Sequence, residues 1–309
     1  MPLDPQARVF LDQLAAMGAP PMTESTPEEA RAAMAMMSAL GGQPEQRAAT
    51  EDRAVPGPGA DIPVRIYRPG GGAPAPVVVY FHGGGFVIGN IETHDGVCHQ
   101  LATRVPAVVV SVDYRLAPEH RFPAAVEDSM AATEWVSSHA AELGADPERL
   151  AVAGDSAGGN LAAVVALRAR DSGGPPVAFQ LLVYPATDLT RSLPSHQENG
   201  EGYLLTSELM GWFIAHYFGP GAELRHPDAS PLFAETLSGL PPALVVTGEF
   251  DPLRDEGEEY AARLRRAGVE ARASRYDGMI HGFFGLDAIF DASRKAMDEA
   301  VTALKDALT

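Results

Sequence analysis

The chain has 309 residues, of which 46% are hydrophobic and 21% are charged, and this composition excludes a disordered or fibrous protein. Its formal net charge of −18 repels phosphate backbones and anionic lipid headgroups. Nucleic acid, membrane surfaces and strongly anionic substrates are therefore disfavoured as partners. The single cysteine, Cys98, excludes an intrachain disulfide.

The N-terminus and the apolar runs bear on cellular location. The first ten residues, MPLDPQARVF, lack the basic segment and following apolar segment of a signal peptide. The longest apolar runs, such as residues 107–110, are too short to cross a bilayer. We therefore expect a soluble, cytoplasmic protein.

Two helices are predicted at the start of the chain. Residues 3–17 carry apolar side chains at helical spacing. A second helix is expected to begin after Thr26, which can act as its N-cap, with Pro27 at the first helical position. Glu29 would complete a capping box, and the glycine pair 41–42 would end the helix.

The following part of the chain alternates strand and helix patterns. Apolar residues alternate with other residues at 62–66, as in a half-buried strand. Apolar runs typical of strands follow at 77–81, 107–112, 150–153, 179–184, 243–247 and 269–276. Helical patterns are found at 124–139, 157–170, 256–267 and from about 291 onward. This alternation predicts an α/β fold with a mostly parallel sheet, helices on both faces and an antiparallel edge.

One stretch, at about 188–230, interrupts this alternation with an aromatic helical pattern around Trp212 and Phe213. We expect it to join the N-terminal segment, 1–50, in a helical cap over the carboxyl edge of the sheet. Residues 51–309 would form the catalytic domain.

A substrate pocket is predicted beneath this cap. Met34 and Met37 recur on one face of the second predicted helix, which is also what simple helix packing requires. Methionine side chains fill irregular space, so the same face could form an adaptable apolar wall over a ligand. We predict that Met34, Met37, Trp212 and Phe213 contact the substrate.

The sharpest chemical signal is the G-x-S-x-G sequence at residues 154–158, which lies between a predicted buried strand and a predicted helix. In that context it predicts a nucleophile elbow, a tight turn that presents Ser156 above the sheet. A phosphate-binding turn is the alternative, but no G-x-x-x-x-G-K pattern supports it.

A serine nucleophile needs a general base, which in this arrangement follows the serine and an acid along the chain. His281 lies between the last predicted strand and the terminal helix, where the base is expected. The other histidines downstream of Ser156 fall within the cap stretch, namely His196, His216 and His226.

The acid is expected just beyond the end of a strand, between the serine and the base. Asp251 follows the strand at 243–247 and meets this requirement. It would hold the imidazole tautomer and offset the imidazolium charge. Asp188 lies at the start of the cap stretch, whereas Asp255, a candidate helix N-cap, and Asp277 remain rivals.

The sequence HGGGF at 82–86 follows a predicted strand and predicts the oxyanion hole. Glycine lets the backbone approach a substrate closely, so we expect the amides of Gly84, Gly85 and Ala157 to be the donors. The loss of one such donor typically costs ~3 kcal/mol of barrier. His82 is expected to brace this loop.

Three side chains of types that bind metal ions lie close together in the sequence, namely His94, Cys98 and His99. A zinc site is one possible interpretation of them. Their spacing places them on one predicted helix without a fourth ligand, so we predict no metal site. Cys98 is then expected to be a buried small hydrophobic residue.

These motifs together resemble the bacterial hormone-sensitive-lipase-like carboxylesterases, also called family IV esterases. The matching sequences are HGGGF at 82–86, DYRLAPEHRFPAA at 113–125, GDSAGGN at 154–160, YP at 184–185, DPLRDEG at 251–257 and HGF at 281–283. The resemblance implies an α/β-hydrolase fold with a helical cap and the triad Ser156, Asp251 and His281. It also implies oxyanion donors from the HGGG loop and Ala157, short- or medium-chain acyl ester substrates, and no metal or organic cofactor.

Carboxylester hydrolysis through an acyl-enzyme is therefore the predicted function, with a small-molecule ester and water as reactants. A small amidase or formamidase could use the same triad. A non-catalytic ligand-binding relative is a further alternative, although relatives of that kind lose the histidine that His281 supplies here. A surface-active lipase is disfavoured by the acidic chain. A monomer or a homodimer is expected.

Overall fold

A computed structural model describes residues 2–18, 20–72 and 74–309. Within these residues, eight strands form one sheet. The strands are β1 (Ala49–Val55), β2 (Ile62–Arg68), β3 (Ala75–Phe81), β4 (Val108–Val112), β5 (Ala145–Asp155), β6 (Val177–Val183), β7 (Ala243–Phe250) and β8 (Ala271–Ile280). Their order in the sheet is β1-β2-β4-β3-β5-β6-β7-β8. β1 and β2 run antiparallel to their neighbours, and all other neighbouring pairs are parallel, so the predicted architecture is confirmed.

Helices cover both faces of this sheet. They are α1 (Pro5–Ala16), α2 (Pro27–Ser38), α3 (Asp95–Arg104), α4 (Ala124–Ser138), α5 (Ala140–Leu143), α6 (Ala157–Ser172), α7 (Ser195–Glu198), α8 (Ser207–Tyr217), α9 (Arg254–Arg266) and α10 (Asp291–Leu308). The predicted start of α2 is confirmed, because Thr26 caps it and forms the capping box with Glu29.

Period-two alternation along the central strands creates two apolar cores. In β3, Val77, Val79 and Phe81 face the core that includes residues of α4, α6 and α9. Val78 and Tyr80 face the opposite core, which includes residues of α1, α3 and α10. Burial on both faces explains why these strands are recognisable as continuous apolar runs.

The first strand carries no such signal. β1 has the sequence ATEDRAV and pairs only with β2 at the edge of the sheet. Most of its residues are exposed or half-buried, and three charged residues occupy its middle, as is common at sheet edges. The sequence predicts an antiparallel edge of the sheet, but apolar periodicity could not locate this strand within it.

Contacts at several points fix the N-terminal segment to the rest of the chain. Phe10 of α1 packs edge-to-face on Phe290, with ring centroids 5.4 Å apart. Farther along, the Thr23 hydroxyl donates to Glu208 at the start of α8. The segment thus spans from the C-terminal part of the core to the helix predicted to belong to the cap.

Candidate active site

The turn between β5 and α6 holds Ser156 in a backbone conformation that is rare outside glycine, with φ of 54° and ψ of −116°. Small residues are required around it. A Cβ atom at Gly158 would lie 1.9 Å from the Phe81 carbonyl oxygen, and one at Gly154 would lie 2.3 Å from the Gly158 carbonyl oxygen. The strand, tight turn and helix have the geometry of a nucleophile elbow.

Three side chains from distant parts of the chain meet at this turn. The Nε2 atom of His281 lies 3.0 Å from the Oγ atom of Ser156. The Nδ1 atom of His281 lies 2.8 Å from Oδ2 of Asp251, a fully buried residue. A carboxylate only accepts hydrogen bonds, so Nδ1 carries a proton, and in the neutral ring Nε2 is free to accept the serine proton.

The backbone fixes the orientation of the acid in this group. Oδ1 of Asp251 accepts a hydrogen bond of 2.8 Å from the Leu253 amide. The Asn199 side chain donates to the Asp251 carbonyl oxygen at 3.2 Å. The ring of Tyr184 packs against the imidazole of His281, with centroids 4.5 Å apart.

The rival acids are engaged elsewhere. Asp255 pairs with Arg254 and accepts from the Ser195 amide. The N-cap of α9 is Leu253, so the suggestion that Asp255 caps this helix is wrong. Asp277 pairs with Arg275. The Asp188 carboxylate accepts hydrogen bonds from nearby backbone and hydroxyl groups, at Thr190 and Ser192.

The other downstream histidines also have different partners. His196 bonds to Glu256 at 2.6 Å, His216 to the Trp212 carbonyl oxygen at 2.9 Å, and His226 lies 3.7 Å from Asp228. Burial is the main cause that raises the pKa of Glu256 to about 7, against the lowering effect of His196.

The glycine-rich loop after β3 lies beside Ser156. Gly84 and Gly85 have φ of 122° and 59°, which favour glycine. A Cβ atom at Gly84 would lie 2.1 Å from the Ile88 carbonyl oxygen. Gly84, Gly85 and Ala157 line the same cavity as Ser156 and His281.

His82 is fully buried beneath this loop. Its ring stacks on Tyr114, with centroids 4.3 Å apart, and its Nδ1 atom lies 2.8 Å from the Gly83 carbonyl oxygen. Burial, followed by the charge of His94, lowers the pKa of His82 to about 3. The ring is therefore neutral and donates its Nδ1 proton to the Gly83 carbonyl.

The cavity above Ser156 has a volume of about 930 Å³ and mostly apolar walls. Met34, Met37 and Phe213 belong to its lining, but Trp212 is not among the described residues that line it. The substrate contact of Trp212 stays a prediction, and its indole packs on His216, with centroids 4.1 Å apart. Apolar lining residues that the sequence analysis did not single out include Leu14, Leu204, Leu205, Leu209, Ile214 and Leu253.

The candidate zinc ligands contact other groups. His94 lies 3.2 Å from Asp155, and the Ala48 amide donates to His99. Cys98 is fully buried, and burial raises the pKa of its thiol. The described residues contain no group of three or more histidine, cysteine, aspartate or glutamate side chains placed to hold a metal ion.

Among the residues that the structure describes, no helix is both long enough and apolar enough to cross a membrane.

Residues 78–285 match the sequence model of a family described as having the alpha/beta hydrolase fold. The chain belongs to this family. It is 44% identical to carboxylesterase NlhH of Mycobacterium tuberculosis, over 99% of this chain and 96% of that protein. It is 38% identical to an arylesterase of Saccharolobus solfataricus, over 92% and 93% of the two chains.

Solved structures of esterases are also similar to this chain. An esterase of Pyrobaculum calidifontis superimposes with a TM-score of 0.93 at 48% identity, covering 100% of both chains. The resemblance to hormone-sensitive-lipase-like carboxylesterases that the motifs indicated is thus confirmed.

Proposed function

We propose that this protein is a serine carboxylesterase that hydrolyses short- to medium-chain acyl esters, with Ser156 as nucleophile, His281 as general base and Asp251 as orienting acid. The observation that carries the proposal is the continuous hydrogen-bonded series from Asp251 through His281 to Ser156 at 2.8 and 3.0 Å. It lies in an apolar cavity beside a glycine loop, and the relatives named above are esterases.

In the first half-reaction, the Oγ atom of Ser156 attacks the ester carbonyl carbon while Nε2 of His281 takes the hydroxyl proton. The carbonyl oxygen becomes an oxyanion, to which the amides of Gly84, Gly85 and Ala157 donate hydrogen bonds in this mechanism. When the tetrahedral intermediate collapses, the carbon–oxygen bond to the alcohol breaks. His281 gives its proton to the departing alcohol, and the acyl group remains on Ser156.

In the second half-reaction, water takes the place of the alcohol. His281 removes a proton from the water as it attacks the acyl carbon, and the same amides hold the second oxyanion. Collapse of this intermediate releases the carboxylic acid and returns the proton to Ser156. The nucleophile, the base and the oxyanion donors all come from the chain, so the mechanism requires no metal ion or organic cofactor.

The cavity supports a substrate with an apolar acyl or alcohol group. Its walls combine Met34 and Met37 from α2 with Phe213 from α8, so we further propose that residues 1–50 and about 188–230 act together as the cap. The net charge of −18 favours neutral esters over anionic ones. We propose that the protein acts in the cytoplasm as a monomer or homodimer, without nucleic acid or membrane as a partner.

The test is a chain-length series of nitrophenyl esters, from acetate to laurate, measured on the wild type and on Ser156→Ala. The wild type should hydrolyse the short and medium chains and lose activity after treatment with a serine-directed phosphonate. Ser156→Ala should bind substrate but lose at least about 10³-fold in kcat. Ser138→Ala, at an exposed position in α4, is the matched control and should keep full activity. Near-normal hydrolysis by Ser156→Ala would overturn the mechanism, and faster cleavage of matched anilides than of esters would favour an amidase.

A further inference from the structure

The residue before the nucleophile carries a buried carboxylate that the reaction described above does not use. Asp155 ends β5, and three polar groups surround its side chain. The Tyr80 hydroxyl donates to Oδ1 at 2.7 Å, and the Gly83 amide donates to the same oxygen at 3.1 Å. The Nε2 atom of His94 lies 3.2 Å from Oδ1 and 3.3 Å from Oδ2.

This carboxylate is ionised in the fold. Burial alone would raise the pKa of Asp155, but the neighbouring His94 and the hydrogen bond from Tyr80 lower it below its usual value. Tyr80 is fully buried, and Asp155 and His94 are nearly so. Hydrogen bonds to a charged acceptor in such surroundings are stronger than those to a neutral one.

The contact with Gly83 joins the elbow to the oxyanion loop. A Cβ atom at Gly83 would lie 2.2 Å from Oδ2 of Asp155, so only glycine allows the loop to rest on this carboxylate. The amide of Gly83 is held by Asp155, and its carbonyl is held by His82 at 2.8 Å. Both peptide groups that flank Gly83 are therefore fixed by buried side chains.

These two anchors determine where the next amide points. In a trans peptide group the carbonyl and the N–H point in opposite directions. The Gly83 carbonyl is turned toward His82, so the Gly84 N–H of the same peptide group is turned away from His82. Gly84 also lines the cavity that contains Ser156. An oxyanion donor is effective only when its direction is set before the reaction.

We infer that Asp155 is a positioning residue for the oxyanion hole, which sets the Gly84 and Gly85 amides relative to Ser156 by holding the Gly83 amide. This inference rests on the proposed esterase function. Asp155 adjoins Ser156 in sequence, so a single side chain ties the nucleophile and the oxyanion donors to a common reference point. Asp155 does not touch the reacting atoms and acts through the backbone of the loop.

The test compares Asp155→Asn with Tyr80→Phe. Asparagine has nearly the same shape, but it replaces the charged acceptor of the Gly83 amide by a neutral oxygen and places an amide nitrogen where the second oxygen was. Phenylalanine at position 80 removes one donor to the same carboxylate and leaves the Gly83 contact in place. Each variant is measured for kcat and KM on nitrophenyl butyrate, for affinity toward a trifluoromethyl ketone that forms an oxyanion on Ser156, and for Tm.

For Asp155→Asn we expect kcat to fall about 10- to 100-fold, less than the loss of a whole donor. KM should stay within about twofold, and affinity for the ketone should fall by the same factor as kcat/KM. Tyr80→Phe should lower Tm while keeping kcat within about threefold. Asp155→Ser, which is smaller and cannot reach the Gly83 amide, removes this contact altogether, and it is measured alongside with a loss of kcat expected to be at least as large.

Wild-type ketone affinity and kcat in both Asp155→Asn and Asp155→Ser would overturn the inference and leave the esterase function intact. Equal losses of kcat in Tyr80→Phe and Asp155→Asn would also overturn it, because the effect would then follow stability and not the loop. A wild type that hydrolyses no ester would instead overturn the proposed function.

Discussion

The ring of Phe213 fills the space that a side chain on Gly85 would need, because a Cβ atom there would lie 2.3 Å from the ring. Phe213 belongs to α8, and Gly85 belongs to the loop after β3. The helix predicted to form the cap therefore touches the loop that is proposed to bind the oxyanion. This contact makes the shape of the pocket beside Ser156 depend on the position of α8.

Replacing the ring should change substrate preference. Phe213→Ala would remove an apolar wall, so kcat/KM for a butyrate ester should fall about 10-fold, since burying an aromatic side chain contributes on the order of 1.5 kcal/mol or more. Esters with bulkier acyl groups should lose less or gain. Trp212→Phe, on the same helix but outside the described lining, is the control and should keep the wild-type preference. An unchanged preference in Phe213→Ala would contradict this role.

The contact can also be tested from the side of the loop. Gly85→Ala should lower kcat by at least about 10²-fold, because the new methyl group meets the Phe213 ring and φ of 59° disfavours alanine. Adding Phe213→Ala should recover part of that loss, since the two changes share one contact. The comparison is a double-mutant cycle on kcat/KM. Additive losses in the double variant would show that the ring contact does not limit position 85.

The docking of α2 should depend on Arg31. Its guanidinium donates to the carbonyl oxygens of Val87 at 2.9 Å and Ala117 at 3.0 Å and forms a two-point contact with Glu119. Arg31→Ala should lower stability by about 1–3 kcal/mol, because it leaves partly buried carbonyls without their donor. It should also raise KM, since α2 carries Met34 and Met37.

Hydrogen exchange tests the prediction for Arg31. The backbone amides of residues 27–38 should be less protected in Arg31→Ala than in the wild type. Glu119→Gln is the matched control. Its side chain is 46% exposed, so loss of this charge should cost less than about 1 kcal/mol. Equal effects of the two variants would show that the ion pair, and not the two carbonyl contacts, holds α2 in place.

Stability should depend on pH through Glu256, which is fully buried and bonds to His196 and to the amides of Thr187 and Asp188. The pKa of about 7 in the fold exceeds the ordinary value of 4.5, so the folded protein binds this proton more tightly than the unfolded chain. The contribution of Glu256 to stability is therefore largest below about pH 4.5 and decreases as the pH rises to about 7.

Glu256→Gln removes this titration. Its free energy of unfolding relative to the wild type should rise between pH 5 and pH 8, by up to about 3 kcal/mol from the size of the pKa change. Denaturant unfolding at several pH values measures the difference. Glu148→Gln, at an exposed position, is the control, and its difference in free energy of unfolding from the wild type should not change with pH. A flat difference for Glu256→Gln would contradict the expected titration.

Local sequence was sufficient to predict those structural features whose pattern lies within one short segment. The capping box at Thr26 and Glu29, the buried apolar runs of the inner strands and the elbow around Ser156 each lie within a few residues, so their patterns are legible without the fold. β1 was missed because an edge strand has no need for apolar residues on both faces.

The order of motifs along the chain, with the family resemblance, also predicted Asp251 and His281, which lie with Ser156 in one hydrogen-bonded series. Sequence alone could not decide which side of α8 meets the cavity. Neighbouring residues on a helix are rotated by about 100° from each other. This rotation directs Phe213 to the cavity and Trp212 toward His216.

The sequence by itself determined the inner strands of the sheet, the elbow and the identities of the three predicted catalytic side chains, because these follow from local spacing and chain order. Tertiary structure decided which cap residues line the cavity and that Asp155 and His82 hold Gly83 from two sides. The contact between Asp155 and Gly83 joins residues 72 apart in the chain, and it depends on how strands and loops pack, which no local pattern encodes.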